Sequence, residues 1–387
     1  MTIDYEMLVD FALRLIGQDS LSGNEAAAGR IVAAEMRRLG FDVSMDDWGN
    51  VIGRMSNDLG PVVLFDAHMD TVPWTSSDQW RRNPRGEIRD GRLYGRGAVD
   101  MKGALSAMIY GIASLHDDSL PGTAILCASV VEEWIEGSAL VHVCQKFPPH
   151  YVVIGEATNL TLAIAQKGRA EVVIDIEGVP AHSSRPHLGV NAADLMSDVV
   201  RALRKIEMPS HPLLGNGLLV LTDLVSSPSP ALSTIPAKCR AIYDRRLIPG
   251  EQPDRVLAPI KDTVSEVLAG TGARWSVAVA HDAFTTHTGV QFTRNKWAPA
   301  WETNTATDCV AASLRALSQV DLVPAVSTYS FCTNGSGSAG PLGIPTVGFG
   351  PGDPDLAHQI DESVSVDDLI KAAQGYGALA RELMSVE

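Results

Sequence analysis

The chain is predicted to be an α/β protein, with a helix-covered sheet in a larger domain and a smaller α+β domain inserted into it. Three observations predict this. Short continuous apolar runs at Val62 to Phe65, Thr123 to Val131, Tyr151 to Ile154 and Pro345 to Phe349 read as strands covered on both faces. Helix-spaced stretches such as Ala104 to Leu115 lie between them. The length of 387 residues exceeds the usual single-domain size, and the middle third carries a different pattern.

Taken in order, Asp4 to Leu15 and Asn24 to Leu39 place apolar residues at helical spacing, and Gly40 stops the second helix. In the middle third, Arg169 to Ile176 alternates like a half-buried strand, and Val190 to Ile206 reads as an amphipathic helix. Gly217 to Leu224 is a strand, followed by the loop Ser226-Ser227-Pro228-Ser229-Pro230. Ala237 to Leu247 is a further strand and Gln252 to Leu268 a second helix. This βαββαβ-like order places the inserted domain at 169–290, leaving 1–168 and 291–387 as a discontinuous larger domain.

Composition narrows the function. Apolar residues make up 45% of the chain, enough for more than one core. Lys+Arg 31 against Asp+Glu 46 gives a net charge of −15, which repels phosphate backbones and anionic membranes. Nucleic acid and membrane are therefore not expected partners. The five cysteines form no Cys-x-x-Cys pair, and the number is odd, so reduced thiols and a cytoplasmic location are expected. The N-terminus has no basic and apolar signal pattern, and no apolar run reaches 18 residues.

Polar residues cluster just after the apolar runs. Val62 to Phe65 leads into Asp66-Ala67-His68-Met69-Asp70, Thr123 to Val131 ends in Glu132-Glu133, and Tyr151 to Ile154 ends in Gly155-Glu156. Gly91 to Gly97 leads to Asp100, just before a helix. Open α/β sheets bind ligands at the carboxyl ends of their strands, so these residues gather at one edge. Two histidines with three carboxylates form a mixed N/O field suited to Zn²⁺ or a similar divalent ion. A further carboxylate free of metal would serve as a base. Singly, each residue has a plainer reading: His68 as a core histidine, Asp100 as a helix cap, Glu132-Glu133 as a solvated turn. Only the set points to chemistry.

The set resembles the M20 family of metallopeptidases, which includes carboxypeptidase G-type enzymes, aminoacylases and succinyl-diaminopimelate desuccinylases. The segments that carry the likeness are Phe65 to Pro73, Gly95 to Gly103, Glu132-Glu133, Gly155-Glu156 and Ala357-His358, in family order across nearly the whole chain. Asp244-Arg245-Arg246 and Thr333 to Gly340 bring it closest to the YgeY-type hydrolase branch. The resemblance implies a mixed-sheet catalytic domain sandwiched by helices, with the inserted domain as a lid that dimerises. It implies two divalent ions, with Zn first and Co or Mn as alternatives. Asp100 would bridge them, His68 and Glu156 would complete one site, and Glu133 and His358 the other. Glu132 would be the general base and later the acid, and Asp70 would support His68.

In the inserted domain, Gly178 to Ala192 resembles the segment whose histidine, here His182, stabilises an oxyanion, often across the dimer interface. Arg246 matches the family's Asp-x-Arg arginine. It either binds a substrate carboxylate or forms an ion pair with Asp244. The sequence departs from the family at Ser233, where many relatives carry Asn. It departs again in the Gly-rich segment Gly335 to Gly340, which either cradles a carboxylate or is a tight turn. Asn334 and Gly335 are therefore candidate substrate contacts. The resulting expectation is hydrolysis of the amide bond of a small N-acyl amino acid or dipeptide-like substrate. The alternatives are hydrolysis of a non-peptide C–N bond on the same site, and a catalytically silent binding protein.

Overall fold

All four apolar runs become neighbouring parallel strands. Across the sheet they run Thr123–Ser129, Val62–His68, Tyr151–Ile154 and Thr346–Gly348. This computed structural model describes residues 3–56, 60–74, 79–116, 120–322 and 325–386. The chain divides into one unit of Met1–Gln166, Phe284–Phe292 and Trp301–Glu387, and another of Lys167–Ala283 and Thr293–Ala300. The first division thus falls two residues before the sequence-based one. Residues 284–292, assigned by sequence partly to the insertion, fold with the larger unit, and residues 293–300, assigned by sequence to the larger domain, fold with the smaller one.

The four parallel strands form the middle of a mixed sheet. Antiparallel strands flank them: Val51–Ser56 and Asp42–Met45 on one side, Leu162–Gln166 and Trp301–Glu302 on the other. Alternate side chains serve opposite faces, as the pleat requires. Val63, Phe65 and Ala67 join a core with residues of the helices Tyr5–Ile16, Lys102–Ala113 and Val366–Leu383. Leu64, Ile125, Cys127, Val152 and Ile154 pack instead with Leu140 and Val143 of the helix Ser138–Lys146. Burial on both faces explains why these strands read as continuous apolar runs.

Helix ends follow local rules. Asp4 accepts the Met7 N–H at 3.0 Å and opens the first helix. The second runs Ala26–Arg38, and Gly40 beyond it has φ +89°, the left-handed conformation that ends helices. The strand expected over Thr123 to Val131 stops at Ser129. Beyond it, the N–H groups of Val130 and Val131 bond to side chains and not to a neighbouring strand.

The smaller unit has its own core. Its antiparallel sheet runs Leu218–Ser227, Lys238–Leu247, Gly168–Glu177, Arg274–Val279. The helices Ala192–Leu203 and Pro253–Val267 supply Met196, Val199, Leu257 and Ile260 to a cluster with Val172, Ile174 and Tyr243 of the strands. Along the outer strand, Leu218, Val220, Leu224 and Val225 remain exposed.

One close contact in the larger unit is readily checked. A Cβ on Gly111 would lie 2.2 Å from the Ala373 carbonyl oxygen of the facing C-terminal helix. Gly111→Ala must push the two helices apart. Overpacking of this kind costs about 1–3 kcal/mol. A lowered urea midpoint with the slope unchanged is the expected result.

Candidate metal centre

His68 stands at the end of its strand, with its ring almost fully buried. Nδ1 lies 2.9 Å from the Asp70 carbonyl oxygen and 3.5 Å from Asp70 Oδ1. A carbonyl cannot donate, so Nδ1 carries a proton, which leaves Nε2 as the ring nitrogen that would face a metal ion. Nε2 is 2.9 Å from Asp100 Oδ1, 3.3 Å from Glu156 Oε1 and 3.9 Å from Glu132 Oε2. The other oxygen of Asp100, Oδ2, lies 3.0 Å from His358 Nε2, which is 3.2 Å from Glu133 Oε1.

Six residues from five separated segments therefore converge, and Asp100 divides its two oxygens between two donor groups. Donor atoms around a tetrahedral ion with bonds near 2.0–2.1 Å stand about 3.3 Å apart. The spacing here matches that, and the N/O donor set suits Zn²⁺, Mn²⁺ or Co²⁺. Glu132 Oε1 is buried and makes no hydrogen bond among the described residues.

The electrostatics point the same way. Burial, reinforced by Glu156 and Glu133, pushes the Glu132 carboxyl well above its usual range. Burial and the Asp100 charge raise Glu156 to about 7, and the same two causes raise Glu133. Burial also opposes the charge on Asp100, but hydrogen bonds with His358 and His68 outweigh it and hold that carboxyl low. Contacts with Asp100 and Glu133 hold His358 up at about 10. Four crowded carboxylates demand positive charge, which divalent ions supply.

A second layer of buried groups holds these side chains in place. Asp70 Oδ1 accepts the Glu132 N–H at 3.2 Å, and its Oδ2 accepts the Glu133 N–H at 3.0 Å and the Ser22 hydroxyl at 2.6 Å. Glu362 Oε1 accepts the N–H groups of Gly97, Val99 and Asp100 at 3.0, 2.9 and 3.1 Å. Its Oε2 pairs with Arg96 at 2.5 Å, and Arg96 also donates to the His358 carbonyl at 3.3 Å. One buried ion pair thus fixes Asp100 and His358 together. Glu362 was not singled out from sequence. Its only local signal is its place four residues after His358, ahead of the short strand Ser363–Ser365.

Asn334 is buried. Its amide donates to Asp66 Oδ2 and Ser129 Oγ and accepts the Gly137 N–H. The Gly-rich segment forms a short buried helix, Gly335–Ala339, and the Gly335 N–H goes to Thr333 Oγ1. Glycine is needed there because Trp301 Nε1 would lie 2.7 Å from a Cβ at Gly335. These groups have hydrogen-bond partners inside the protein.

In the smaller unit, His182 is exposed, and its Nδ1 accepts the Ser184 N–H at 3.1 Å. Arg246 pairs with Asp244, Nε to Oδ1 at 2.8 Å. Asp244 also takes Arg169 Nε at 2.9 Å.

The sequence pattern of Peptidase family M20/M25/M40 matches residues 64–382, and the chain belongs to that family. Family membership, together with the donor cluster, makes it a hydrolase of amide C–N bonds that uses divalent metal. It is 29% identical to the YgeY protein of Escherichia coli K12, over 99% of this chain and 96% of that one. It is 27% identical to a succinyl-diaminopimelate desuccinylase of Caulobacter, covering 96% and 94% of the two chains. The fold also matches the YXEP protein of Bacillus subtilis, described as a dinuclear metal binding peptidase, with a TM-score of 0.74 and 13% identity over 99% of both chains.

Replacing Glu362 with Ala would leave Arg96 and three N–H groups buried without their partner. Breaking one side of a buried pair costs about 3–5 kcal/mol. The Glu362→Ala protein should unfold at markedly lower denaturant and retain less metal, as read by elemental analysis.

Proposed function

We propose that the protein is a dinuclear metallohydrolase, with zinc as the first candidate ion, that cleaves the amide bond of a small N-acyl amino acid or dipeptide. The observation that carries this reading is the division of Asp100 between two donor groups, His68 with Glu156 and His358 with Glu133. When bound there, two divalent ions supply a water of lowered pKa and polarise a carbonyl oxygen.

The chain's own residues do the rest. Glu132 stands 3.9 Å from His68 Nε2 with its other oxygen unengaged, so it takes the proton of the attacking water and returns it to the leaving nitrogen. Its raised affinity for protons suits both transfers. His182 uses its Nδ1 lone pair on Ser184, so the ring proton sits on Nε2 as a donor for the developing oxyanion. Arg246, steadied by Asp244, recognises the substrate carboxylate.

The exposed apolar edge strand Leu218–Ser227 favours a homodimer through this lid unit. The five cysteines are buried and form no disulfide among the described residues, which fits a cytoplasmic enzyme. Among the described residues no helix is long and apolar enough to cross a membrane.

Metal analysis with a panel of N-acyl amino acids and dipeptides, scored by released amino acid, tests the reading. No turnover on any member, or full turnover after chelation, would refute it. Glu132→Gln should keep both ions and lose about 10²–10⁴ in kcat; an unchanged kcat removes the residue from this role. If His182 acts across the dimer, mixing His182→Ala with Glu132→Gln subunits should restore part of the activity once subunit exchange is demonstrated.

A further inference from the structure

The turn that carries Glu132 and Glu133 is suspended by its backbone. Its four consecutive N–H groups all go to side-chain oxygens: Val130 to Asn50 Oδ1 at 3.0 Å, Val131 to Glu25 Oε1 at 3.1 Å, Glu132 and Glu133 to Asp70 at 3.2 and 3.0 Å. Val131 has φ +55°, a conformation that a β-branched residue adopts only when its surroundings impose it. The N–H of this residue donates to the Glu25 carboxylate.

Glu25 is fully buried and precedes the helix Ala26–Arg38, yet its carboxylate does not cap that helix. Oε1 takes the Gly23 N–H at 2.9 Å together with that of Val131, and Oε2 faces His287 Nδ1 at 3.2 Å. The His287 ring sits where a Cβ on Gly49 would come within 2.1 Å, so glycine there makes its seat. Gly23 in turn lies under Trp134, one residue beyond Glu133, with a would-be Cβ 2.7 Å from Trp134 Cη2.

We propose that Glu25, oriented by His287, is a positioning residue that holds the Val131–Glu133 turn so that Glu132 and Glu133 face the metal centre. The proposal rests on the dinuclear reading above and adds two residues to it. It implies an asymmetry. Glu133 and Glu132 ride on this turn, whereas His68 and Glu156 follow the strands Val62–His68 and Tyr151–Ile154. Losing Glu25 should weaken the Glu133–His358 group and spare the His68–Glu156 group.

The test compares Glu25→Ala, Glu25→Gln and His287→Ala with the wild-type protein in two ways. The first is titration of the metal-free protein with Co²⁺, followed by visible absorption and kcat. Support for a metal centre through such an outer contact is worth about 10–100-fold in affinity or activity. Glu25→Ala should lose about that much at one cobalt site only, with kcat lowered and KM little changed. Glu25→Gln keeps a carbonyl for both N–H groups and should restore the wild-type values. The second is amide hydrogen exchange of the metal-free protein, in which Glu25→Ala should accelerate exchange at residues 130–133 but not at 152–156. Wild-type exchange and wild-type cobalt affinity in Glu25→Ala would overturn the proposal, as would equal weakening of both ions. Should Glu25→Ala fail to fold, His287→Ala decides by the same two measurements. A wild-type protein that takes up fewer than two cobalt ions counts against the dinuclear reading, while the exchange result still judges Glu25.

Discussion

Four buried or half-buried carboxylates crowd around the buried ring of His68, with the exposed ring of His358 at their rim, and most of the larger unit can be understood as the means of keeping them there. Burial raises the cost of each negative charge, and proximity raises it again. The cluster can persist in its ionised form only with compensating positive charge. The same repulsion that makes the arrangement expensive makes it a strong seat for divalent ions. It also leaves Glu132, the member with one oxygen unengaged, as the group inclined to hold a proton.

Such a cluster cannot hold itself together, so the scaffold does. Parallel strands buried on both faces bring His68, the Glu132–Glu133 turn and Glu156 to one edge of the sheet, because all three chains leave it in the same direction. Asp100 and His358 arrive from irregular segments that no sheet positions. Buried acids do this work instead. Glu362 gathers the N–H groups ahead of Asp100, its partner Arg96 holds the His358 carbonyl, and Asp70 gathers those of Glu132 and Glu133. Carboxylates accept several N–H bonds at once and so can fix a loop that lacks a ladder.

The outer layer was the least legible part. Asp70 was read as support for the His68 ring, and the ring does donate to its carbonyl, but its carboxylate is spent on the following turn. Asn334 stands beside a run of glycines, and its amide ties Asp66, Ser129 and Gly137 together. Both side chains have partners 60 or more residues away in sequence. No local pattern encodes such a partner, since the pairing depends on which loops meet after the sheet has formed.

What the sequence determined by itself was the alternation of buried strands and helices, the inserted βαββαβ pattern, and the residue types capable of holding metal. Period and composition are local properties, and burial on both faces writes itself into short runs of consecutive residues. The tertiary structure decided two further things: the closing of the Glu133 turn by Glu25 and Asp70, and the return of residues 284–292 to the larger unit. Each depends on distances of a few ångströms between segments far apart in the chain. Such distances are set only when all the elements have packed, because hydrogen bonds and charge pairs act through space and carry no memory of sequence separation.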